Sequence, residues 1–410
     1  MIDPWSFSCE SFPLSLRSAF GTAHSSSLSR TNVLVSVHHA SVAAFHGFGE
    51  IGLPPLKAHC YVATLDSCFA FARRFAAALA DCAADASVSP FLAAPLQAVA
   101  AAQDAAPLLR ALAVLNAMPV LLPSDRAAQC GFEVALLDAL ARSASVPLWR
   151  LLCGEQATEE HAHKPLFYTV GLNDDVAAER ATVLFGAQRT RHIKVKVDAD
   201  WSKAQAILLR VHETATACTD GLCVVVDANC SWTPATALAF LQWLPTTPLR
   251  VTALEQPFAV GHEFSAAELA EWGAVKRAAV AAGLDVVADE SCSTAADVQA
   301  LAPICTAVNI KLEKCGGFSG ALELAARAKA MSLKTWLGTM VGSTLNSNAV
   351  AQLLPLSDLG GDLDGTLLVK PESDLFQGGF EFDASGRARL PPQAAGLGVE
   401  LKQRRTRAAS

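Results

Sequence analysis

Residues 192–198 read His-Ile-Lys-Val-Lys-Val-Asp, and the placing of charge in this stretch decides the fold. Alternate residues of a β-strand face opposite sides. Lys194 and Lys196 therefore share one face, while Ile193, Val195 and Val197 share the other. The apolar face suits a cover of helices. Two lysines turned toward an interior are costly to bury without a chemical task; the bland alternative leaves them at a strand end in solvent.

Similar strand-like runs lie on either side: Leu166–Val170, Leu222–Asp227, Val251–Leu254, Val286–Ala288, Ala307–Lys311 and Lys334–Leu337. Helix-length segments separate most of them. Repeated strand-then-helix at this spacing predicts a parallel sheet, and over roughly 200 residues a closed (β/α) barrel. Ahead of the runs, Gly131–Ala144 has an amphipathic helix pattern. Further toward the N-terminus, Thr31–His38 and His46–Ile51 read as strands, and residues 62–122 as alanine-rich helices interrupted by Pro90, Pro95 and Pro107. The small polar segment Ser18–Ser29 reads as a mobile loop. The expected organisation is an α+β capping domain over 1–127, a modified (β/α) barrel bearing the active site over 128–353, and a C-terminal segment over 354–410 that returns to the cap. Its basic tail, Lys402–Arg407, is expected to be disordered.

Composition bounds the function. The 410 residues are 52% hydrophobic and 17% charged, with a formal net charge of −7. There is ample material for a large core and no basic surface for nucleic acid. The most apolar region, Pro90–Pro123, is broken by Gln97, Gln103, Asp104, Arg110 and Asn116, so no membrane span is expected. Met1–Phe12 lacks the pattern of a signal peptide. The twelve cysteines form no Cys-x-x-Cys pair, which argues against a zinc site. Reduced thiols and a cytoplasmic location follow as the expectation.

Three acids stand at equivalent places in successive runs: Asp227 ends LCVVVD, Glu255 ends VTALE and Asp289 ends VVAD. In a barrel these carboxylates point at one mouth, the C-terminal face where barrel active sites sit. Clustered carboxylates repel unless a cation joins them, and hard oxygen donors select magnesium or manganese. The alternative is that each acid caps a helix or pairs with a base. Lys311 ends AVNIK and is a third strand-end lysine. Counting from Leu166, the lysine pair lies on strand two, the acids on three, four and five, and Lys311 on six. Strands two and six face each other across an eight-stranded barrel. A cation and a neighbouring ammonium would favour the neutral amine, a usable base.

This order resembles the enolase superfamily, and within it the muconate-lactonising subgroup. The resemblance rests on FEVALLDALARSASVPLWRLLCG (132–154), IKVKVD, VVVDAN, ALEQPF, VADES and NIKLEKCGG, and covers nearly the whole chain. It implies Asp227, Glu255 and Asp289 as ligands of Mg²⁺ (Mn²⁺ as a substitute), Lys196 and Lys311 as acid/base residues, and Lys194 as an aid that holds the substrate carboxylate. Glu290 would support its neighbour Asp289. The chemistry implied is the lysine-and-metal ene-diolate chemistry for which that superfamily is known.

Asp362-Leu363-Asp364 resembles the Asp-x-Asp with which dipeptide epimerases receive a substrate ammonium; read on its own, the Asp-Gly pair builds a turn. Thr169, Thr339, Met340 and Val341 match pocket-lining positions, and Phe20 and His24 fall in the expected specificity loop. Gly342 stands where many relatives carry glutamate, which argues against lactonisation. The resemblance thus implies 1,1-proton transfer on a dipeptide, with a homo-oligomer as the possible assembly. The basic residue expected for Ala-Glu is missing from the loop apart from His24 and, earlier, Arg17, so a neutral or apolar second residue is an equal expectation. Alternatives are an N-acylamino-acid racemase, o-succinylbenzoate synthase or cycloisomerase, and, outside enzymes, a non-catalytic metal-binding relative.

Overall fold

The computed structural model describes residues 5–22, 25–39, 46–84, 122–154, 157–172, 191–216, 221–260, 264–383 and 385–402. Three antiparallel strands open the chain: β1 (Trp5–Thr22), β2 (Ser25–His39) and β3 (His46–Ile51), in that spatial order. Cross-strand partners share a face. Phe7 pairs Val37 and Cys9 pairs Val35, and this face meets helix α1 (Leu65–Ala84) and helix α2 (Arg126–Ser143) through Phe7, Phe75 and Phe132. Phe12 pairs Asn32 and Leu14 pairs Arg30, and this opposite face turns to the rest of the molecule, where Phe12, Leu14 and Leu16 pack on Val369.

The Ser18–Ser29 segment is not the expected loop. Its described residues extend the hairpin, with Phe20 opposite Ser27 after a register shift beyond Ser15. A strand needs only extended backbone and a partner, so small polar residues at the tip do not forbid it. His24 lies outside the described residues, as do 85–121 with Pro90, Pro95 and Pro107, and the tail beyond Lys402.

Helix α2 corrects the amphipathic expectation for Gly131–Ala144. Every residue from Ala127 to Ala141 except Gln129 is buried. One side lies directly on β3, where glycines admit the helix backbone: a Cβ on Gly49 would sit 1.9 Å from the Gly131 carbonyl oxygen, and one on Gly47 2.2 Å from that of Ala135. The other side faces the barrel and the C-terminal segment. Glu133 accepts from the Ser319 backbone at 2.7 Å, and Asp138 from Leu397 at 2.9 Å and Phe48 at 3.1 Å. A helix buried all round carries no polar stripe.

Eight parallel strands follow in chain order: β4 (Tyr168–Val170), β5 (His192–Lys196), β6 (Cys223–Asp227), β7 (Val251–Glu255), β8 (Asp285–Ala288), β9 (Ala307–Ile310), β10 (Lys334–Gly338) and β11 (Gly361–Asp362). A bridge between Leu166 and Gly361 joins the two ends, with Phe167 N donating to Gly361 O at 2.8 Å. The barrel is thus closed by a strand beyond residue 353. β11 has only two residues beside glycine, so it carries no run of alternating side chains to announce it.

Inside, Phe167, Val225, Ala253, Val287, Ala307 and Trp336 form one apolar layer. Two residues further along the strands come Thr169, Asp227, Glu255, Asp289 and Asn309, and with them Lys194 and Lys196. The strand period stacks a charged layer on an apolar floor. Ten cysteines, Cys68, Cys130, Cys292 and Cys305 buried among them, carry free thiols, and no described helix is long and apolar enough to cross a membrane.

Gly49→Ala tests the helix–sheet contact. It is expected to cost about 3 kcal/mol, since backbone must move to admit a methyl group. The check is a lower urea midpoint at an unchanged slope.

Candidate active site

The C-terminal ends of the barrel strands and the cap line one cavity that opens to solvent. Register sets its floor. Asp227 lies beside both Lys196 and Glu255 across neighbouring strands, and Asp289 follows β8. Lys196 Nζ donates to Asp227 Oδ2 at 2.6 Å, and Lys311 Nζ to Asp289 Oδ2 at 2.9 Å. The two lysines therefore hold opposite ends of the row of acids. Between them Lys194 Nζ, on a fully buried side chain, lies 2.7 Å from Glu255 Oε2, 2.8 Å from Asp362 Oδ2 and 3.3 Å from Asp227 Oδ2.

Polar side chains fix the acids in turn. Asn309 Nδ2 donates to Glu255 Oε1 at 2.9 Å. Gln256, with a positive φ of 36°, turns its Oε1 to the Asp289 backbone at 2.8 Å and its Nε2 to Ser291 Oγ at 2.8 Å. The Gln of ALEQPF thereby ties one strand end to the next. Lys314 donates to Asp289 Oδ1 at 2.7 Å and to the Asp289 carbonyl. Glu290 turns to the cap: it accepts from Lys57 at 2.9 Å and from Asn229 at 2.7 Å.

Electrostatics follow from burial and these pairs. Burial raises the carboxyl of Asp227, but Lys196 and Lys194 outweigh it and bring it down to about 2. Asp289 falls well below the carboxylate range, because Lys311 and Lys314 overcome its burial. Glu255 is pushed up to about 8 by burial, opposed by Lys194 and helped by Asp227, Asp362 and Asp289. Burial lowers Lys194 and Lys311, yet the acids around them raise both well above the usual amine range. Here the ammonium groups are the counter-ions of the carboxylates.

Among the described residues the acids are not gathered into a ready metal cage, since lysines stand between them. Two observations fit a hard cation there. The donor set is carboxylate oxygen throughout. Glu255 Oε2 is buried with an ion-pair neighbour but no hydrogen-bond donor, an unsatisfied oxygen of the kind that a cation completes.

The wall is made by β4, β10 and β11. Thr169 N donates to Asp364 Oδ2 at 2.5 Å, Trp336 Nε1 to Asp362 Oδ1 at 2.9 Å, and Thr339 Oγ1 to Asp362 O at 3.1 Å. Asp364 is raised to about 6 by burial and by Asp362. Met340 and Val341 line the cavity, as does Phe20 of the hairpin. A Cβ on Gly342 would meet Asn346 Cβ at 2.6 Å and Glu50 Oε1 at 2.9 Å, so a glutamate does not fit there without rearrangement. Sequence reasoning missed Arg30, Lys57 and Tyr61 of the cap, all lining the cavity, and Lys314 and Asn309 below it. Asn309 and Lys311 repeat the i, i+2 signal of Lys194 and Lys196; nothing in the sequence marks Lys57 or Tyr61.

A closed barrel with acids and lysines at its mouth, roofed by an N-terminal sheet, defines an enzyme of the barrel class. Comparison with known proteins narrows this. Residues 176–405 match the family described as enolase C-terminal domain-like. An enolase superfamily member from Dictyostelium discoideum is 31% identical over 97% of this chain and 96% of its own length. An L-Ala-D/L-amino acid epimerase from Maribacter sp. is 30% identical over 67% of this chain and 72% of its own. The dipeptide epimerase from Enterococcus faecalis V583, solved with Mg and L-Leu-L-Tyr, shares the fold at a TM-score of 0.73 and 22% identity, covering 96% of this chain and 98% of that one. The chain belongs to the enolase superfamily.

The contact of cap and barrel carries its own titration. Glu50 of β3 accepts from Asn32 at 2.7 Å, from the Ser343 backbone at 3.1 Å, and from the Ser343 hydroxyl. Burial raises its carboxyl to about 7, with those hydrogen bonds opposing. A raised acid favours folding while protonated, so stability falls as pH rises from the ordinary carboxyl value toward 7, and then levels. Wild type is expected to lose on the order of 3 kcal/mol relative to Glu50→Gln across that window. Urea unfolding of both at about pH 4.5, 6 and 8 measures it.

Proposed function

We propose that this protein is a magnesium-dependent dipeptide epimerase, moving the α-proton of the C-terminal residue. The observation that carries the reading is the placing of Lys196 and Lys311 at opposite ends of one row of buried acids, with Asp362 and Asp364 on the adjoining wall. The named relatives support it, since an epimerase acting on L-Ala-D/L-amino acids is among them.

In this reading Asp227, Glu255 and Asp289 hold the metal, which would supply positive charge beside the substrate carboxylate; manganese suits the same oxygens. Lys194 binds that carboxylate from the floor. Asp362 and Asp364 take the substrate ammonium, with Trp336 and Thr169 fixing their carboxylates. One of Lys196 and Lys311 removes the α-proton, and the other returns one from the opposite side. Lys194 and the flanking ammonium favour the ene-diolate between the two steps. Lys314 and Asn309 are positioning residues for Asp289 and Glu255. The cap comprises residues 1–127, the barrel 128–353 and the returning C-terminal segment 354–410, and a cytoplasmic homo-oligomer completes the proposal.

Incubation of L,L-dipeptides in deuterium oxide with magnesium is the test. Deuterium at the C-terminal α-carbon with inversion is expected, lost on chelation and restored by Mg²⁺ or Mn²⁺; folded protein that exchanges no dipeptide sinks the reading. Lys311→Ala is expected to lower kcat by about 10³-fold or more. Asp364→Ala is expected to raise KM for dipeptides, whereas an N-acylamino-acid racemase would not notice it.

A further inference from the structure

The barrel has a second cup, at the N-terminal ends of its strands. Phe167, His192, Thr252, Asp285, Trp336 and Asp358 are among the residues that line it, and its volume is about 250 Å³. A buried apolar cavity of about 150 Å³ can already hold benzene, so an aromatic ring fits here.

The floor of this cup is aromatic. The rings of Phe167 and Trp336 lie 4.7 Å apart and those of Phe167 and His192 5.0 Å apart, both pairs tilted. An aromatic guest offset or edge-on to such rings gains more than its buried area alone contributes. Trp336 serves both ends of the barrel. Its ring lines the lower cup, while its Nε1 donates to Asp362 Oδ1 at 2.9 Å on the wall of the upper cavity.

Charge at the lower rim is sorted by strand. Arg250 stands just before β7, two residues ahead of Thr252 and so on the same inward face. Arg387 bridges to Pro165, ahead of β4. The acids stand elsewhere on the ring: Asp285 begins β8, two residues before Val287 of the apolar layer, and Asp358 precedes β11. In a closed ring of eight strands β7 faces β11, and β4 faces β8. Each acid therefore has an arginine across the mouth. Asp285 is met by Lys334 at 2.9 Å. Asp358, exposed at the rim and held through Oδ2 by Thr335 N at 2.9 Å, is left opposite Arg250. His192 reports the field on the arginine side. Burial lowers its imidazole to about 4, and Arg387, Arg191 and Arg250 add to the effect. The imidazole is thus neutral near pH 7, and the positive charge there is guanidinium, whose planar fork matches a carboxylate.

We infer that the lower cup is a binding site for a free aromatic amino acid, its ring against Phe167 and Trp336, its carboxylate on Arg250 and its ammonium on Asp358. An aromatic acid without the amine would bring nothing to Asp358, and an aromatic amine without the acid nothing to Arg250. The inference stands apart from the reaction at the other end of the barrel.

Calorimetric titration of the full chain with L-phenylalanine measures it, with phenylacetate and phenethylamine as probes that carry one charge each. Saturable, equimolar binding of phenylalanine is expected, with each analogue about tenfold weaker or more. Arg250 is exposed, so Arg250→Glu is expected to fold and to weaken phenylalanine by at least about tenfold, since like charges then face each other. Asp364→Ala, in the upper cavity, is expected to leave that affinity unchanged. Absence of saturable binding by wild type overturns the inference, as does phenylacetate or phenethylamine binding as tightly as phenylalanine. Unchanged affinity in Arg250→Glu overturns it too. So does loss of binding in Asp364→Ala, which would place the amino acid in the upper cavity. The comparison of the three ligands needs no variant, so a misfolded mutant does not spare the inference. None of these results bears on the epimerase reading, which deuterium exchange tests separately.

Discussion

Lys194 is the group on which the site depends. Its ammonium lies within 3.3 Å of carboxylates from β6, β7 and β11, on a side chain almost wholly out of water. Removing one partner of such a cluster leaves an uncompensated buried charge, which is worse than never having buried the pair. The acids and lysines of the mouth therefore stand or fall together. Asn309, Gln256 and Lys314, which only touch the acids, become part of the same requirement. The closed barrel is what makes this tolerable: strand period two lays an apolar floor directly beneath, and fixed backbone holds each charge in register with the next.

The cap is bound to this centre by polar contacts that share one sheet face. Asn32 bridges Glu50 and Val341, and Glu50 in turn holds Ser343 at the start of a barrel helix. Lys57 reaches Glu290, the residue after Asp289. The roof is thus fastened at points that border the cavity, and Arg30 hangs from the same strand as Asn32. The opposite face of the sheet is held differently, by glycines that let α2 lie backbone to backbone. One face anchors by backbone packing on α2, and the other by directed hydrogen bonds together with the apolar contacts of Phe12, Leu14 and Leu16 on Val369.

The barrel and its charged layer were legible because their signal is local. Each of β5 to β9 is an apolar run ending at or one residue before a charged residue, and the spacing between runs is one strand and one helix. β11 was legible only as the Asp-x-Asp resemblance, since two residues cannot display a period. Helix α2 reads as amphipathic from apolar spacing, while its acids Glu133 and Asp138 are buried because Ser319 of the barrel, 186 residues away, and Leu397 of the C-terminal segment, 259 away, are among their partners. No local pattern encodes that.

Arg30 shows the same limit from the other side. In SSSLSRTN it reads as one basic residue at the edge of a polar stretch. What gives it meaning is cross-strand register, which sets Arg30 opposite Leu14 and on the face of Asn32. In this molecule the reaction is written along the strands of the barrel. The cap's contacts with the cavity are written across its strands, where the sequence alone does not say which residues meet.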